Sequence, residues 1–267
     1  MGHAAPDHPP RQHRSLFLSD LHLGAIGCRA DLILDFLQKN RAEHYHLVGD
    51  ILDLWHVVIP HWTDTHQAVI DHLHLRQAEG ARITYVRGNH DPAPETAHPS
   101  RALRVETCLE IVHQAGDGRR YLIIHGDGQD NWLFQSNLLR RIGSRLDHGL
   151  RALDRVIDDW ILRLRDPKRG PFAKALHLLN HWLYPDRSHE RRLIDLARLR
   201  GVDGVICGHF HIAALHERHG LLYGNCGDWL DSFTALAEDF SGRLHLLDVR
   251  AMAVQRGQSA QGQAVIA

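Results

Sequence analysis

Short apolar runs and amphipathic segments alternate along the first half of the chain. The apolar runs predict strands at residues 15–18, 44–48, 82–86, 103–112, 121–124 and 204–207, with further strand-like runs to about residue 249. Apolar positions recur with helical spacing at residues 29–39, and a second helix is predicted at 65–78, stopped by Gly80. The last third is mostly strands with short turns. This pattern predicts an α/β fold in which helices cover the outside of two packed sheets.

A long segment interrupts this alternation between residues 130 and 200. Apolar residues form one helical stripe over residues 146–164 and another over 172–183, and residues 131–200 carry 15 Lys and Arg against 8 Asp and Glu. The stripes either pack together as a helical hairpin or form a basic amphipathic surface for an anionic membrane or an acyl chain. A homodimer contact is a third alternative. We therefore divide the chain into a disordered tail (1–14), a domain (15–249) with a helical cap inserted at about 130–200, and a loose C-terminal tail (250–267).

Composition narrows the functional classes only slightly. The chain has 267 residues, 43% hydrophobic and 24% charged, and its formal net charge of −1 gives no reason to expect nucleic acid as a partner. Four Cys without a Cys-x-x-Cys pair are typical of a reducing compartment, and no run approaches the roughly 20 apolar residues of a spanning helix. We expect a cytoplasmic protein, free or peripheral to the inner face of the inner membrane. The unusual feature is 24 His, of which we expect a few to be ligands and most to lie on the surface.

Five predicted strands end in side chains that can bind metal ions. In chain order these are Asp20 and His22, then Asp50, then Asn89 with His90 and Asp91, then His125, and finally His209 with His211. Residues two apart on an extended backbone point to the same side. In open α/β sheets, ligands gather outside the carboxyl ends of the strands. We therefore expect the five strand ends to converge on one edge.

Seven of these side chains are candidate metal ligands: Asp20, His22, Asp50, Asn89, His125, His209 and His211. Seven exceed the four positions of a single tetrahedral zinc. They suit two divalent ions, with Asp50 as the bridge and water in the remaining positions. Imidazole, carboxylate and amide ligands without thiolate favour manganese, iron or zinc over copper.

The charge of such a site indicates its substrate. Two divalent ions outweigh the charges of Asp20 and Asp50, so the site favours an anion, phosphate above all. Two adjacent ions activate a water molecule for in-line displacement, and this water serves as the nucleophile instead of a side chain. His90 is left as the general acid that protonates the leaving oxygen, with Asp91 holding its ring. Asp53 is either a hydrogen-bond partner of a ligand or a helix cap.

These motifs resemble those of the calcineurin-like metallophosphoesterase superfamily from about residue 15 to 249. The motifs are Asp20-x-His22, Gly49-Asp50-x-x-Asp53, Gly88-Asn89-His90-Asp91, a lone His125 and Gly208-His209-x-His211. The resemblance implies a four-layer α-β-β-α sandwich and two metals, commonly manganese. It implies that one metal takes Asp20, His22, Asp50 and His211, and that the other takes Asp50, Asn89, His125 and His209.

Within the superfamily, residues 18–24, 49–55, 125–127 and 223–229 resemble the UDP-2,3-diacylglucosamine pyrophosphatase group of lipid A biosynthesis. This resemblance implies cleavage of the diphosphate to UMP and 2,3-diacylglucosamine 1-phosphate. The chain departs from the best-known members at His90, where they carry Arg, which indicates a second branch of the group. The alternative is another nucleotide-linked or phosphodiester substrate. A non-catalytic interaction module of this fold would be marked by lost ligands, and none of the seven is missing.

Overall fold

Eleven strands and three helices make up the part of the chain that the computed structural model describes, residues 9–53, 61–91, 103, 105–129 and 188–250. The strands are β1 (Arg11–Leu18), β2 (Asn40–Val48), β3 (Arg82–Val86), β4 (Thr107–Cys108), β5 (Glu110–Gln114), β6 (Arg120–Ile124), β7 (Gly204–Cys207), β8 (Ala214–His216), β9 (Leu222–Asn225), β10 (Thr234–Glu238) and β11 (Leu244–Asp248). The helices are α1 (Ala30–Lys39), α2 (Asp64–Ala78) and α3 (Ser188–Leu199), and a short 3₁₀ turn spans Asp127–Gln129.

The strands form two mixed sheets. The first sheet has the order β11-β10-β1-β2-β3-β4, and β1 to β4 are parallel to one another. The second sheet has the order β5-β6-β7-β9-β8, and β6, β7 and β9 are parallel. The remaining strands join through antiparallel pairings. The parallel strands therefore carry their carboxyl ends to one edge of each sheet.

Three apolar clusters lie between successive layers of the molecule. The first packs α1 and α2 on the first sheet and includes Phe36 and Leu73. The second fills the space between the sheets, where Phe17 and Ile206 belong to the same cluster. The third packs α3, through Leu193, on the outer face of the second sheet. Each fully buried side chain of this size contributes roughly 1.5–3 kcal/mol. The layers follow the order α-β-β-α, which confirms the predicted fold class.

The first strand begins earlier than its apolar residues indicate. Residues 11–14, predicted to lie in a disordered tail, are part of β1, and Arg11 pairs with Asn40 at the start of β2. These positions carry polar side chains that find specific partners. Arg14 contacts Glu238 at 2.6 Å, and His13 contacts Asn40 at 3.0 Å. Hydrophobic periodicity gives no signal for such residues, so the predicted boundary was wrong.

Two further predictions need correction. The single strand predicted at residues 103–112 is two strands, because β4 pairs with β3 in the first sheet and β5 pairs with β6 in the second. The predicted insertion at 130–200 also extends too far. Its residues from Ser188 form α3, whose Ile194 and Ala197 are fully buried beneath the second sheet. The rest of the predicted cap and the tail 251–267 lie outside the described residues. Among the described helices, none has the length and apolar character to cross a membrane.

Candidate metal centre

The loops that follow β1 and β2 run side by side. The N–H of Asp20 donates to the carbonyl oxygen of Gly49 at 3.0 Å, and the N–H of His22 donates to that of Asp50 at 2.9 Å. Asp20 and Asp50 are 0% and 2% exposed. The end of the first sheet therefore holds two buried carboxylates and one imidazole close together.

The second sheet contributes three imidazoles to the same place. His125 follows β6, and His209 and His211 follow β7, whose next residue Gly208 donates its N–H to the carbonyl of His125 at 3.0 Å. The N–H of His209 donates to Oδ2 of Asp20 at 2.9 Å and so connects the two sheets directly. The carboxyl ends of both sheets thus share one edge, as the sequence predicts.

Six of the seven predicted ligands fall into two compact groups at this edge. Within each group the ligand atoms lie within 4.8 Å of one another. The groups are Asp20, His22 and His211, and Asp50, His125 and His209. Nε2 of His211 lies 3.1 Å from Oδ1 of Asp20, and Nε2 of His125 lies 3.2 Å from Oδ2 of Asp50. Atoms bound to one ion at about 2.0–2.2 Å are separated by roughly such distances.

Whether these residues fit metal ions can be judged from the buried polar atoms that make no hydrogen bond. Oδ1 of Asp20, Nε2 of His22, Oδ1 of Asn89 and Nε2 of His125 are buried and make no hydrogen bond within the described chain. Such atoms are costly to bury unless a ligand satisfies them. Their gathering at one edge, on oxygen and imidazole donors only, fits two divalent cations.

The local structure orients two of these ligands from behind. Nδ1 of His125 lies 2.9 Å from the carbonyl oxygen of Val48, so the ring can donate there and present Nε2 to the site. The hydroxyl of Ser19 lies within hydrogen-bonding distance of both Oδ2 of Asp20 and the carbonyl oxygen of Val48, and it donates its one proton to one of these two acceptors. Contacts of this kind set the tautomer and direction of metal ligands.

Asn89, the seventh predicted ligand, lies next to Asp50. Its neighbour His90 donates its backbone N–H to Oδ1 of Asp50 at 2.8 Å. A Cβ added to Gly88, on the other side of Asn89, would overlap the carboxylate of Asp50 and the ring of His125. The turn therefore needs glycine before Asn89 to come this close to the ligands.

The predicted role of Asp91 is wrong, because Asp53 occupies the place assigned to it. Nδ1 of His90 lies 3.2 Å from Oδ2 of Asp53, and Nδ1 of His22 lies 3.4 Å from the same oxygen. Asp53 is 0% exposed. Of the two interpretations of Asp53, the structure supports the hydrogen-bond partner of a ligand.

Asp91 instead holds the loops together. Its carboxylate accepts backbone N–H groups from Asp50 at 2.8 Å, Ile51 at 2.9 Å, Leu52 at 3.0 Å and Gly88 at 2.8 Å. It also accepts the hydroxyl of Tyr85 at 2.5 Å. Burial and the nearby charge of Asp50 raise the pKa of Asp91 to about 6. Asp91 therefore fixes the shape of the site without reaching its open side.

The charges of the site depend on one another. Burial opposes ionisation of Asp20, yet the ring of His211 lowers its pKa to about 2. Burial likewise opposes protonation of His90, but the carboxylates of Asp50 and Asp53 raise its pKa to about 9. Without bound cations, these shifts favour an ionised Asp20 and a protonated His90 at neutral pH.

Asp228 also contributes to this site, and it was not among the predicted site residues. Asp228 follows β9 in the run Asn225-Cys226-Gly227-Asp228, a sixth strand end with an acidic residue. Its Oδ2 lies 4.0 Å from Nδ1 of His211, and it is 0% exposed. The N–H of Trp229 donates to the carbonyl of Asp20 at 3.1 Å. The loop after β9 therefore supports His211 and Asp20 from behind.

Comparison of the chain with known proteins gives a match at the level of family. Residues 13–213 match the sequence profile of the family described as calcineurin-like phosphoesterase. No curated protein sequence matches the chain. Among solved structures, an archaeal phosphodiesterase is similar, with 14% identity, a TM-score of 0.43 and coverage of 88% of this chain and 98% of its own. The phosphoesterase YfcE from E. coli has 14% identity, a TM-score of 0.40 and coverage of 88% and 98%. Vps29 from Entamoeba histolytica complexed with Zn²⁺ has 12% identity, a TM-score of 0.41 and coverage of 88% and 98%.

Proposed function

Because the chain belongs to the calcineurin-like phosphoesterase family and is a metal-dependent phosphohydrolase, we propose that it cleaves the diphosphate of a nucleotide-linked glycolipid, with two Mn²⁺ ions at the shared edge of its sheets. The observation that supports this most is the pair of ligand groups, each built from one carboxylate and two imidazoles. The two carboxylates and His22 come from the first sheet, and the other three imidazoles come from the second.

The chemistry of the site follows from its donors. Two divalent ions, when bound, lower the pKa of a water molecule to near neutral and balance the charge of the phosphoryl oxygens. Asp20 and Asp50 supply the anionic ligands, and Asp91 keeps the backbone of residues 50–52 in place beneath them. The oxygen and imidazole donors accept manganese, and also iron or zinc.

We assign protonation of the leaving oxygen to His90. Its side chain is 18% exposed, and its Nδ1 faces the carboxylate of Asp53, which stabilises the charged ring. In this proposal the protonated ring delivers a proton to the leaving group. General acid catalysis by a positioned side chain is worth roughly 10²–10⁴ in rate.

For the substrate we propose UDP-2,3-diacylglucosamine, cleaved to UMP and 2,3-diacylglucosamine 1-phosphate as in lipid A biosynthesis. The support is the resemblance of residues 18–24, 49–55, 125–127 and 223–229 to that group of enzymes. The alternative is another nucleotide-linked or phosphodiester substrate. The test includes such substrates because this chain has His90 where the best-known members of that group carry Arg. A non-catalytic interaction module is disfavoured, because the six ligands and His90 are together.

Purified protein assayed with Mn²⁺ against UDP-2,3-diacylglucosamine, UDP-sugars and a simple chromogenic phosphodiester tests this proposal. We expect the highest kcat/KM for the glycolipid, with UMP as a product. The Asp50→Asn variant is the control for contaminating hydrolases, and it should be inactive on every compound. Preference for a soluble nucleotide would overturn the lipid substrate, and no hydrolysis of any of them would overturn the catalytic proposal.

We also propose that the basic segment within residues 130–187 contacts the lipid tails or the membrane surface, on its charge and apolar pattern alone. Trp160, in the apolar stripe of residues 146–164, tests this. The Trp160→Asp variant should lose turnover of the lipid and keep turnover of a chromogenic phosphodiester. Equal loss on both substrates would show that the stripe is structural. A change from dimer to monomer in this variant would favour the homodimer contact.

A further inference from the structure

A second group of imidazoles lies between the two sheets, away from the metal edge. His44 and His46 lie two apart on β2, and His113 lies on β5 in the other sheet. One ring nitrogen from each lies within 4.8 Å of the other two. His46 precedes Asp50 by four residues, or roughly 13 Å of extended strand. The group therefore shares no residue with the metal edge.

The surroundings of this group break the apolar pattern of the space between the sheets. Elsewhere that space is filled by residues such as Val48, Val86 and Ile206. Around the imidazoles the neighbours are Thr84, whose hydroxyl lies 2.8 Å from Nε2 of His44, and Glu238, whose Oε2 lies 2.8 Å from Nε2 of His113. A packed core does not need these polar groups.

His46 is the most informative of the three. It is 1% exposed, and neither of its ring nitrogens has a hydrogen-bond partner within the described residues. One face of the ring stacks on Phe17 at 4.7 Å, and the ring centroid of His44 lies 3.8 Å away. A buried imidazole with two unsatisfied nitrogens is unfavourable unless a ligand binds it.

The other two imidazoles are held as metal-binding histidines usually are. Glu238 lies behind His113, and it is fixed in turn by the hydroxyl of Ser15 at 2.6 Å, the N–H of Gly116 at 2.8 Å and Arg14 at 2.6 Å. A carboxylate behind an imidazole sets the ring's tautomer and strengthens it as a ligand. His44 is likewise held by the hydroxyl of Thr84, which lies 2.8 Å from its Nε2.

We propose that His44, His46 and His113 bind a transition-metal ion, with zinc as the best match, at a site separate from the catalytic edge. Three imidazoles leave one position of a tetrahedral zinc for water or an anion. That position can be reached from an adjoining cleft of about 810 Å³, which all three histidines line. The positive charge in this cleft is partly balanced, because Arg14 pairs with Glu238 and Arg76 pairs with Glu79.

Zinc stoichiometry of the full chain tests the proposal. The protein is stripped with a chelator, reloaded with Zn²⁺ and freed of unbound metal, and its zinc content is measured. We expect His44→Gln and His113→Gln to hold one zinc ion fewer than the wild type. The control His245→Gln, an exposed histidine outside the group, should match the wild type. The N-terminal histidines are the same in all four proteins, so they do not affect the comparison. Unchanged zinc content in both cluster variants would overturn the proposal.

Cobalt spectroscopy separates this site from the catalytic one. With Co²⁺ in place of zinc, we expect the intense visible absorption of tetrahedral cobalt in the wild type and in Asp50→Asn, and its loss in His44→Gln. His44 is half-buried at the rim, so this variant should fold. Absorption that disappears in Asp50→Asn and persists in His44→Gln would overturn the assignment. Thermal stabilisation of Asp50→Asn, in which the catalytic edge is disabled, by inorganic phosphate and not by zinc would make the cleft an anion site and also overturn the proposal.

Discussion

Asp20, His22, Asp50, His209 and His211 all have left-handed backbone dihedrals, with φ between 47° and 66°. Residues with a side chain rarely adopt this region, and each instance costs roughly 1–3 kcal/mol. Surrounding hydrogen bonds keep these residues there, such as that from the N–H of His209 to Asp20. Backbone strain is thus concentrated in five of the seven predicted ligands.

This strain can be measured at His211 by comparing two variants that both remove the imidazole. His211→Gly and His211→Ala should lose activity to a similar extent. Without metal, the glycine variant should be the more stable of the two by roughly 0.5–1 kcal/mol, because glycine adopts positive φ without strain. Urea unfolding of both proteins in the presence of a chelator gives the difference. Equal stability, or a more stable alanine variant, would show that the backbone here is relaxed.

The role of His90 can be separated from metal binding. His90→Ala should keep both metals and lose roughly 10²–10⁴ in kcat, because only the proton donor is removed. Asp53→Asn should also lower kcat, since its amide stabilises a charged ring less well. Metal content and kcat are measured together on each protein. An unchanged kcat in His90→Ala would remove this residue from the mechanism.

At this scale the metal ligands are easier to predict from the sequence than the residues that orient them. Ligands at strand ends carry a local signal, since Asp20 and His22, or His209 and His211, lie two apart after an apolar run. Asp91 was assigned to the ring of His90 because the two are adjacent in sequence. A tight turn sends their side chains in different directions, and Asp53, 37 residues away, contacts the ring instead. His46, for which we predicted no role, is buried, and the ring of His113 that it contacts belongs to a strand distant in sequence.

At the scale of elements, β10 holds together the end of the molecule opposite the metal edge. Its last residue, Glu238, contacts β1 through Ser15 and the second sheet through His113. Burial opposes its charge, but hydrogen bonds from His113 and Ser15 lower the pKa of Glu238 from 4.5 to about 2. Ionised Glu238 therefore stabilises the folded state.

The pH dependence of this contribution follows from the direction of the shift. A carboxyl group whose pKa is lower in the folded state stabilises fully above its unfolded pKa, and the contribution is lost as the pH falls toward the folded pKa. The wild type should therefore exceed Glu238→Gln in unfolding free energy above pH 4.5, and the gap should shrink between pH 4.5 and about 2. Urea unfolding of both proteins at a series of pH values, with a chelator present, measures it. A gap that stays constant over this range would contradict the assignment.

Most elements could be predicted because each strand of the core has an apolar run and each helix an apolar face. The exceptions have physical causes. The strand predicted at 103–112 is divided at Leu109, which is 66% exposed, and apolar content alone does not show that its halves belong to different sheets. The helix α3 has the same amphipathic pattern as the segment before it. The sequence therefore could not separate this helix, which leads into β7, from the insertion.

At the scale of the whole molecule, the metal centre joins the two sheets. Each ligand group combines a carboxylate of the first sheet with at least one imidazole of the second. Metal ions that bind only the folded chain should therefore stabilise the entire sandwich. A free metal concentration 100 times the Kd should add about 2.7 kcal/mol.

Thermal unfolding checks this coupling between metal and fold. A chelator should lower the Tm of the wild type by several degrees, and Mn²⁺ should restore it. Asp50→Asn, which lacks the expected bridging ligand, should show a much smaller change in Tm. If the chelator shifts both proteins equally, the ions do not hold the sheets together through this site.

The contribution of β7 to both ligand groups has a consequence for how the protein is made. During translation, Asp20, His22 and Asp50 leave the ribosome long before His209 and His211. Neither group is complete on a nascent chain until β7 has emerged and paired with β6. Metal loading must therefore come late in biosynthesis, and any truncated product ending before residue 208 would carry only two of the three ligands of each group.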